Sequence, residues 1–231
     1  MTTLMNIRLR INNVKNFSHR AQKMYIFDMA GTTVNEKGLV YKTLKNVIKD
    51  AGFFVNNDEF YKFHGMKKYD IINSFTRDDI HSMQLFYKFE KQLKQEYFDN
   101  NKVDVMPYTF ETFDKIRNNG DLVCLNTSYP REIASRLIYK LNLNDGINDF
   151  VCSDDVEKGR PYPYMINYLA DKYNIENCFD VIKIGDTVID IVEGKNAGTG
   201  EQIAVLTGAD NRETLEKACP TRIIETLKDL F

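Results

Sequence analysis

The chain has 231 residues, enough for one substantial core or for a core that carries a smaller domain. Its 43% hydrophobic and 28% charged residues exclude a disordered chain, and 31 basic against 33 acidic residues argue against a nucleic-acid partner held on a basic face. No apolar stretch approaches the roughly 20 residues needed to cross a bilayer, so no membrane partner is expected.

In chain order, residues 1–23 come first, a basic extension with Arg8, Arg10, Lys15, Arg20 and Lys23 and no acid. It lacks the apolar stretch of a secretory signal. It reads as a non-catalytic extension, or as a start placed ahead of a true one at Met24, in preference to an organelle-targeting segment. The run MYIFD (24–28) follows, and its continuous apolar character suits a strand buried on both faces. From Val40 to Asp104 the pattern becomes helix after helix. Val40, Leu44, Val47 and Ile48 share one face closed by Gly52, and Phe86, Phe89, Leu93 and Tyr97 mark a second long helix. Phe53, Phe54 and Phe60 read as the core of this block, or else as a homodimer contact through it.

Past Pro107 the strand runs return as LVCLNT (122–127), DFVCSD (149–154), VIKIGD (181–186) and IAVLTG (203–208). Helical patterns separate these later runs: YTFETFDKIRNNG before LVCLNT, then PREIASRLIYKLNL and PYPYMINYLADKYN, of which the first two space apolar residues three and four apart and the third follows a Pro-rich start. Strands alternating with helices predict an α/β fold with a doubly wound parallel sheet. The expected organisation is a core of residues 24–39 and 105–231 with a helical cap, residues 40–104, inserted after the first strand. Cys124, Cys152, Cys178 and Cys219 include no C-x-x-C pair and read as buried thiols in a reducing, cytoplasmic compartment; His19, His64 and His81 have no metal spacing.

The polar residues that look chemically useful stand where the predicted strands stop. Asp28 ends the first, Thr127 the second and Asp186 the fourth, and in a parallel sheet these ends converge on one edge. In GDTVIDIVEG a glycine turn opens a helix and sets Asp186 and Asp190 a turn apart. With Asp28 they make an oxygen-rich site of the hard type that Mg2+ favours. Arg160, in EKGRPYP, supplies a fixed positive charge suited to a phosphoryl oxygen. Taken singly, Thr127 reads as a helix cap and Arg160 as a surface ion pair; their order and common edge change that reading. GTGEQI (198–203) begins like a dinucleotide fingerprint, but it precedes a strand and lacks the third glycine, so no nucleotide is implied.

These motifs, in this order over residues 24–231, resemble the haloacid dehalogenase superfamily. DMAGTTV, with Ala30 where most relatives have a second aspartate, and GRP in place of lysine-proline resemble its phosphonatase-like branch. The resemblance implies a Rossmann-like core and Mg2+ held by Asp28, Asp186, Asp190 and the Ala30 carbonyl. It implies Asp28 as nucleophile, with Thr127 and Arg160 on the phosphoryl oxygens and Gly31, Thr32, Gly65, Ser128 and Tyr129 as substrate contacts. In FHGMKKYDII the branch's spacing puts its Schiff-base lysine at Lys68.

That chemistry explains Ala30. Breaking a C–O bond expels an alkoxide that a neighbouring acid protonates, whereas breaking a C–P bond expels a carbanion that needs an electron sink, which a protonated lysine imine supplies. Lys68 must then be an uncharged amine, which requires a pKa lowered by burial or by nearby cations. The chain departs from the branch at Ile71, in place of a histidine, at His64, in place of a methionine, and at Ser128, in place of a glycine; Tyr129 and Arg131 match. His64 reads either as a replacement proton carrier or as a packed bystander. The expected activity is hydrolysis of the C–P bond of a small 2-oxoethylphosphonate. The rivals are a phosphatase of a small phosphate monoester and a catalytically weak binding protein on the same scaffold.

Overall fold

A computed structural model describes residues 20–100 and 102–231. Most of the expected N-terminal extension therefore lies outside the described residues. Six parallel strands form the main sheet in the order β5-β4-β1-β6-β7-β8. They are β1 (Met24–Phe27), β4 (Leu122–Thr127), β5 (Asp149–Cys152), β6 (Val181–Gly185), β7 (Glu201–Val205) and β8 (Arg222–Ile224). The alternation of side chains along each strand sorts the core into two layers. Tyr25, Phe27, Val123, Leu125, Ile182 and Ile184 share one cluster with Phe113 and Ile116 of α5 (Thr109–Asn118) and Ile133 and Leu137 of α6 (Arg131–Lys140). Met24, Ile26, Leu122, Cys124 and Val181 pack on Met165, Ile166 and Leu169 of α7 (Tyr164–Lys172). Burial on both faces is why these strands read as unbroken apolar runs.

The register places the site. Phe27 lies level with Leu125 of β4 and Ile184 of β6, so the residues that follow these strands emerge together at one edge. Both neighbours of β1 are reached by crossing to opposite sides of it, so its carboxyl end is a topological switch point, where such sheets bind ligands.

Between two short antiparallel strands, β2 (Val34–Asn35) and β3 (Asp104–Val105), lies a helical block. It comprises α1 (Leu39–Asp50), α2 (Asn57–Tyr61), α3 (Lys68–Thr76) and α4 (Asp79–Lys94), and α4 runs on into a π-helical turn at Gln95–Asp99. Val40, Leu44, Val47 and Ile48 of α1 are buried against the block, each such side chain contributing about 1.5–3 kcal/mol. Asp78 caps α4 by accepting from the His81 amide at 2.7 Å. Phe60 is buried and Phe53 partly so, whereas Phe54 is 87% exposed.

The cysteines need a correction. Cys124 and Cys152 are buried in β4 and β5, but Cys178 and Cys219 are exposed, because they lie outside the sheet, at the start of a 3-10 helix and in the segment after α9 (Arg212–Lys217). No described helix is long and apolar enough to cross a membrane. The core continues with α8 (Val188–Asn196) and α9 (Arg212–Lys217).

Candidate active site

The floor of the site is a cluster of buried charges at the ends of β1, β4 and β6. Asp28, Asp186 and Asp190 bring carboxylate oxygens within 4.8 Å of one another. Asp186 follows β6 directly. Asp190 lies in the first turn of α8, where it forms a capping box with Thr187, whose hydroxyl donates to Asp190 Oδ2 at 2.5 Å. Arg160 reaches in from the loop after β5. Its Nη2 donates to Asp28 Oδ1 at 2.5 Å and to the Asn126 carbonyl at 2.8 Å, and its Nη1 to Asp190 Oδ1 at 2.8 Å. The guanidinium is thus clamped across both carboxylates, with Nε 3.5 Å from Glu193 Oε2.

A second tier supports this floor. Lys183, inside β6, places Nζ 2.8 Å from Asp190 Oδ1 and donates to Asn126 Oδ1 at 2.7 Å. The Asn126 amide in turn donates to both oxygens of Glu193, at 2.9 and 2.8 Å. Asn126, Lys183 and Glu193 escaped the sequence reading. Their signal was there: a lysine inside VIKIG and an asparagine inside LVCLNT interrupt strands buried on both faces, where a polar side chain must find a partner.

The electrostatics follow from this geometry. Burial pushes the Asp28 carboxyl up, opposed mainly by the Arg160 charge. Burial also disfavours ionised Asp190, but Arg160 and Lys183 outweigh it and hold its pKa below the usual carboxylate range. Asp186 has a Thr32 hydroxyl at 3.1 Å and an Ala209 amide at 2.7 Å but, among the described residues, no ion pair. Burial, with Asp28 and Asp190 close by, pushes its pKa well up. Four buried carboxylates, Asp28, Asp186, Asp190 and Glu193, therefore face two buried cations, Arg160 and Lys183. The all-oxygen donor set and the excess negative charge fit a hard divalent cation, with Asp28 and Asp186 better placed than Asp190 because Asp190 is already engaged by Arg160, Lys183 and Thr187.

The opposite wall comes from the helical block. Lys68, the first residue of α3, is 3% exposed, and its Nζ donates to Ser128 Oγ at 2.8 Å and to the Met66 carbonyl at 2.9 Å. Burial first and the Arg160 charge second bring its pKa down to about 8. The turn before it holds Gly65 at φ +84, where an added Cβ would lie 2.7 Å from Thr187 Oγ1 and 2.9 Å from Ile189 Cβ. Only glycine lets this turn seat against the start of α8. The Gly65 amide donates to the Tyr41 hydroxyl at 2.5 Å.

Lys68, Ser128, Tyr129, Thr127, Arg160 and Asp28 meet around a cavity of about 10 Å³, which Ala30 and Gly65 also line. That is room for about one water, so the block is closed over the floor. Gly31 and Thr32 stand elsewhere. Thr32 bonds Asp186, and Gly31, at φ +83, lets the loop pass so close that an added Cβ would lie 2.5 Å from Asp186 Oδ2. They shape the acidic cluster from behind and do not line the cavity. His64 also turns away: its Nδ1 pairs with Asp210 Oδ1 at 3.1 Å and its ring stacks on Tyr41, with centroids 4.0 Å apart. Ile71 is buried in the helical block.

Comparisons with known proteins identify the family. A family model described as haloacid dehalogenase-like hydrolase matches residues 25–218, and the chain belongs to that family of hydrolases. A bifunctional phosphonoacetaldehyde hydrolase/aminoethylphosphonate transaminase of Clostridioides difficile is 29% identical over 81% of this chain, which spans 32% of that protein. A phosphonoacetaldehyde hydrolase of Bacillus cereus is 28% identical over 88% of the chain and 84% of its own length. The crystal structure of a phosphonoacetaldehyde hydrolase-like protein from Oleispira antarctica superposes with a TM-score of 0.77 at 21% identity, covering 91% of this chain and 90% of that one, a likeness of fold.

Proposed function

We propose that the protein hydrolyses the C–P bond of a small 2-oxoethylphosphonate, phosphonoacetaldehyde or a close analogue, through a Schiff base on Lys68 and an aspartyl-phosphate on Asp28. The observation that carries this reading is a buried lysine, its pKa near 8, in one cavity with an aspartate that can attack phosphorus and with Ala30, which offers no second acid. Lowering the pKa from the ordinary lysine value raises the share of neutral amine at pH 7 by about two orders of magnitude. The amine attacks the aldehyde carbon, water leaves, and the resulting iminium is the electron sink. Asp28 Oδ attacks phosphorus as the C–P bond breaks, and that bonding pair moves into the enamine. Arg160 and the Thr127 hydroxyl stabilise charge on the phosphoryl oxygens. Water then hydrolyses the acyl-phosphate, and protonation and hydrolysis of the enamine return Lys68.

Asp28, Asp186 and the Ala30 carbonyl would hold Mg2+, with Asp190 behind them; when bound, the ion neutralises phosphoryl charge. Residues 40–104 would act as a cap over the core of 24–39 and 105–231, opening to exchange substrate and excluding water when closed. Relatives named phosphonoacetaldehyde hydrolase support the substrate class. Ala30 weighs against the phosphatase reading, because an alkoxide would leave without its acid. Phosphate release from phosphonoacetaldehyde with Mg2+, comparing the wild type with Lys68→Arg, tests the reading. Loss in the variant is expected, and equal turnover by the two proteins would overturn the Schiff base.

A further inference from the structure

One buried carboxylate has no part in the chemistry above. Glu36, 6% exposed, follows β2, outside the acidic cluster. Its Oε2 accepts from the Tyr97 hydroxyl at 3.1 Å, and the Tyr97 hydroxyl lies 2.9 Å from that of Tyr129. Tyr97 and Tyr129 are 0% and 1% exposed, and Tyr129 lines the cavity that holds Lys68. Thus a file of hydroxyls leads from Tyr129, a residue of the cavity wall, to a buried carboxylate.

We propose that Glu36, through the hydroxyls of Tyr97 and Tyr129, is the proton store for imine formation at Lys68, an inference that rests on the Schiff-base reading. The direction of the file follows from counting hydrogens. An ionised carboxylate only accepts, so Tyr97 must spend its single hydroxyl hydrogen on Glu36. The contact between the tyrosines is then made by Tyr129 donating to Tyr97. This leaves the Tyr129 oxygen as an acceptor for a proton from the cavity that Tyr129 lines. When a proton enters from the cavity, each hydrogen shifts one place, Glu36 becomes neutral, and Tyr129 becomes a donor.

Imine formation needs both states in turn. As the Lys68 nitrogen pair bonds to the aldehyde carbon, the carbonyl π pair moves to oxygen, and the nitrogen must lose one proton. Tyr129 accepts it while its own hydrogen passes to Tyr97 and that of Tyr97 to Glu36. The reverse shift returns that proton to the oxygen as the carbinolamine hydroxyl; one further proton, taken up from solvent, lets this hydroxyl leave as water with its bonding pair while the nitrogen pair closes the C=N bond. The relay thus ends as it began, holding the nitrogen's proton only between the attack and the completion of the hydroxyl, and iminium formation as a whole takes up one proton.

A purely structural reading also exists, because Glu36 accepts from the Gly38 and Val40 amides at 3.0 and 2.7 Å, at the start of α1. The two readings separate by what a substitution changes. Single-turnover reactions with phosphonoacetaldehyde and Mg2+, quenched with borohydride, measure the Lys68 adduct by intact mass. Glu36→Gln and Tyr97→Phe should each slow adduct formation at saturating substrate by about 10- to 100-fold, with half-saturation within about twofold of wild type. If Glu36→Gln misfolds by thermal melting, Tyr97→Phe, which keeps the ring, carries the test. Wild-type adduct rates in the folded variants, or a loss seen only as weaker binding, would overturn the relay alone. A wild-type enzyme that yields no adduct would overturn the Schiff-base reading and the relay with it.

Discussion

The two walls of the cavity are built by opposite strategies. The floor is held by the core alone: Asp28, Asp190, Arg160, Lys183, Asn126 and Glu193 bond one another from β4, β6, α8 and the loops after β1 and β5, without a partner from the helical block. The roof reaches its working position only by leaning on the core. Lys68 rests on Ser128, Lys67 on Asp154 at 3.0 Å, His64 on Asp210, and Gly65 against Thr187. Withdrawing the roof leaves the floor's ion pairs whole but returns Lys68 to water, where burial no longer depresses its pKa. On the proposed function, phosphoryl chemistry would be preassembled, whereas the electron sink would be switched on by closure.

The largest effect belongs to the floor. Asp28→Asn removes the attacking oxygen and one ion-pair partner of Arg160, and phosphate release should fall by about 10⁴-fold or more while Lys68 still traps substrate under borohydride. Loss of trapping as well would mean that the two walls are not separable. Next, Lys68→Arg keeps the charge but cannot form an imine. No adduct and about 10³-fold slower phosphonoacetaldehyde turnover are expected, with binding of inorganic phosphate and Mg2+ changed by only a few-fold.

Closure itself is tested at Gly65. An alanine there must hold a left-handed backbone, costing about 1–2 kcal/mol, and its Cβ meets a Thr187 hydroxyl already fixed by Asp190. Turnover should drop by about 10- to 100-fold with Mg2+ affinity intact, because the floor does not need the roof. The pH dependence sharpens the same contrast. Below about 8 the buried amine is mostly protonated, so adduct formation should climb about tenfold per pH unit up to that point and level off above it. A climb that continues to the ordinary lysine range would show that Lys68 reacts from the open, solvated state.

The floor was more legible in the sequence than the roof for a physical reason. Buried parallel strands write themselves as unbroken apolar runs, and the residues after them converge by topology, which located Asp28, Thr127 and Asp186 from spacing alone. The strands that escaped notice are short or marginal: β8 has three residues with Arg222 exposed, and β2 and β3 have two each. β7 begins at Glu201, two residues before its apolar run, since a ladder can continue through polar residues. Lys183 and Asn126 were readable as polar breaks in buried strands. The Glu36–Tyr97 contact spans 61 residues and joins a loop to a π-helical turn, so no local pattern announces it. His64 drew notice as a proton carrier, but its neighbours in space, Tyr41 and Asp210, decide where it points.

That histidine supplies the smallest and most discriminating prediction. Its Nδ1–H donates to Asp210, whose other oxygen accepts the Val188 amide at 2.8 Å, so one carboxylate fastens both the roof's turn and the start of α8. His64→Gln keeps a donor of similar reach but loses the stacked ring on Tyr41, and turnover should fall by only about two- to fivefold, measured as kcat at saturating phosphonoacetaldehyde. The Gly65 contact should dominate because close packing at a left-handed turn has no alternative geometry, whereas a hydrogen bond can be remade by a neighbouring group or by water. A His64→Gln loss greater than that of Gly65→Ala would invert this order. Closure would then depend on the bond to Asp210 more than on the fit of the turn, and the roof would share with the floor its reliance on a buried carboxylate.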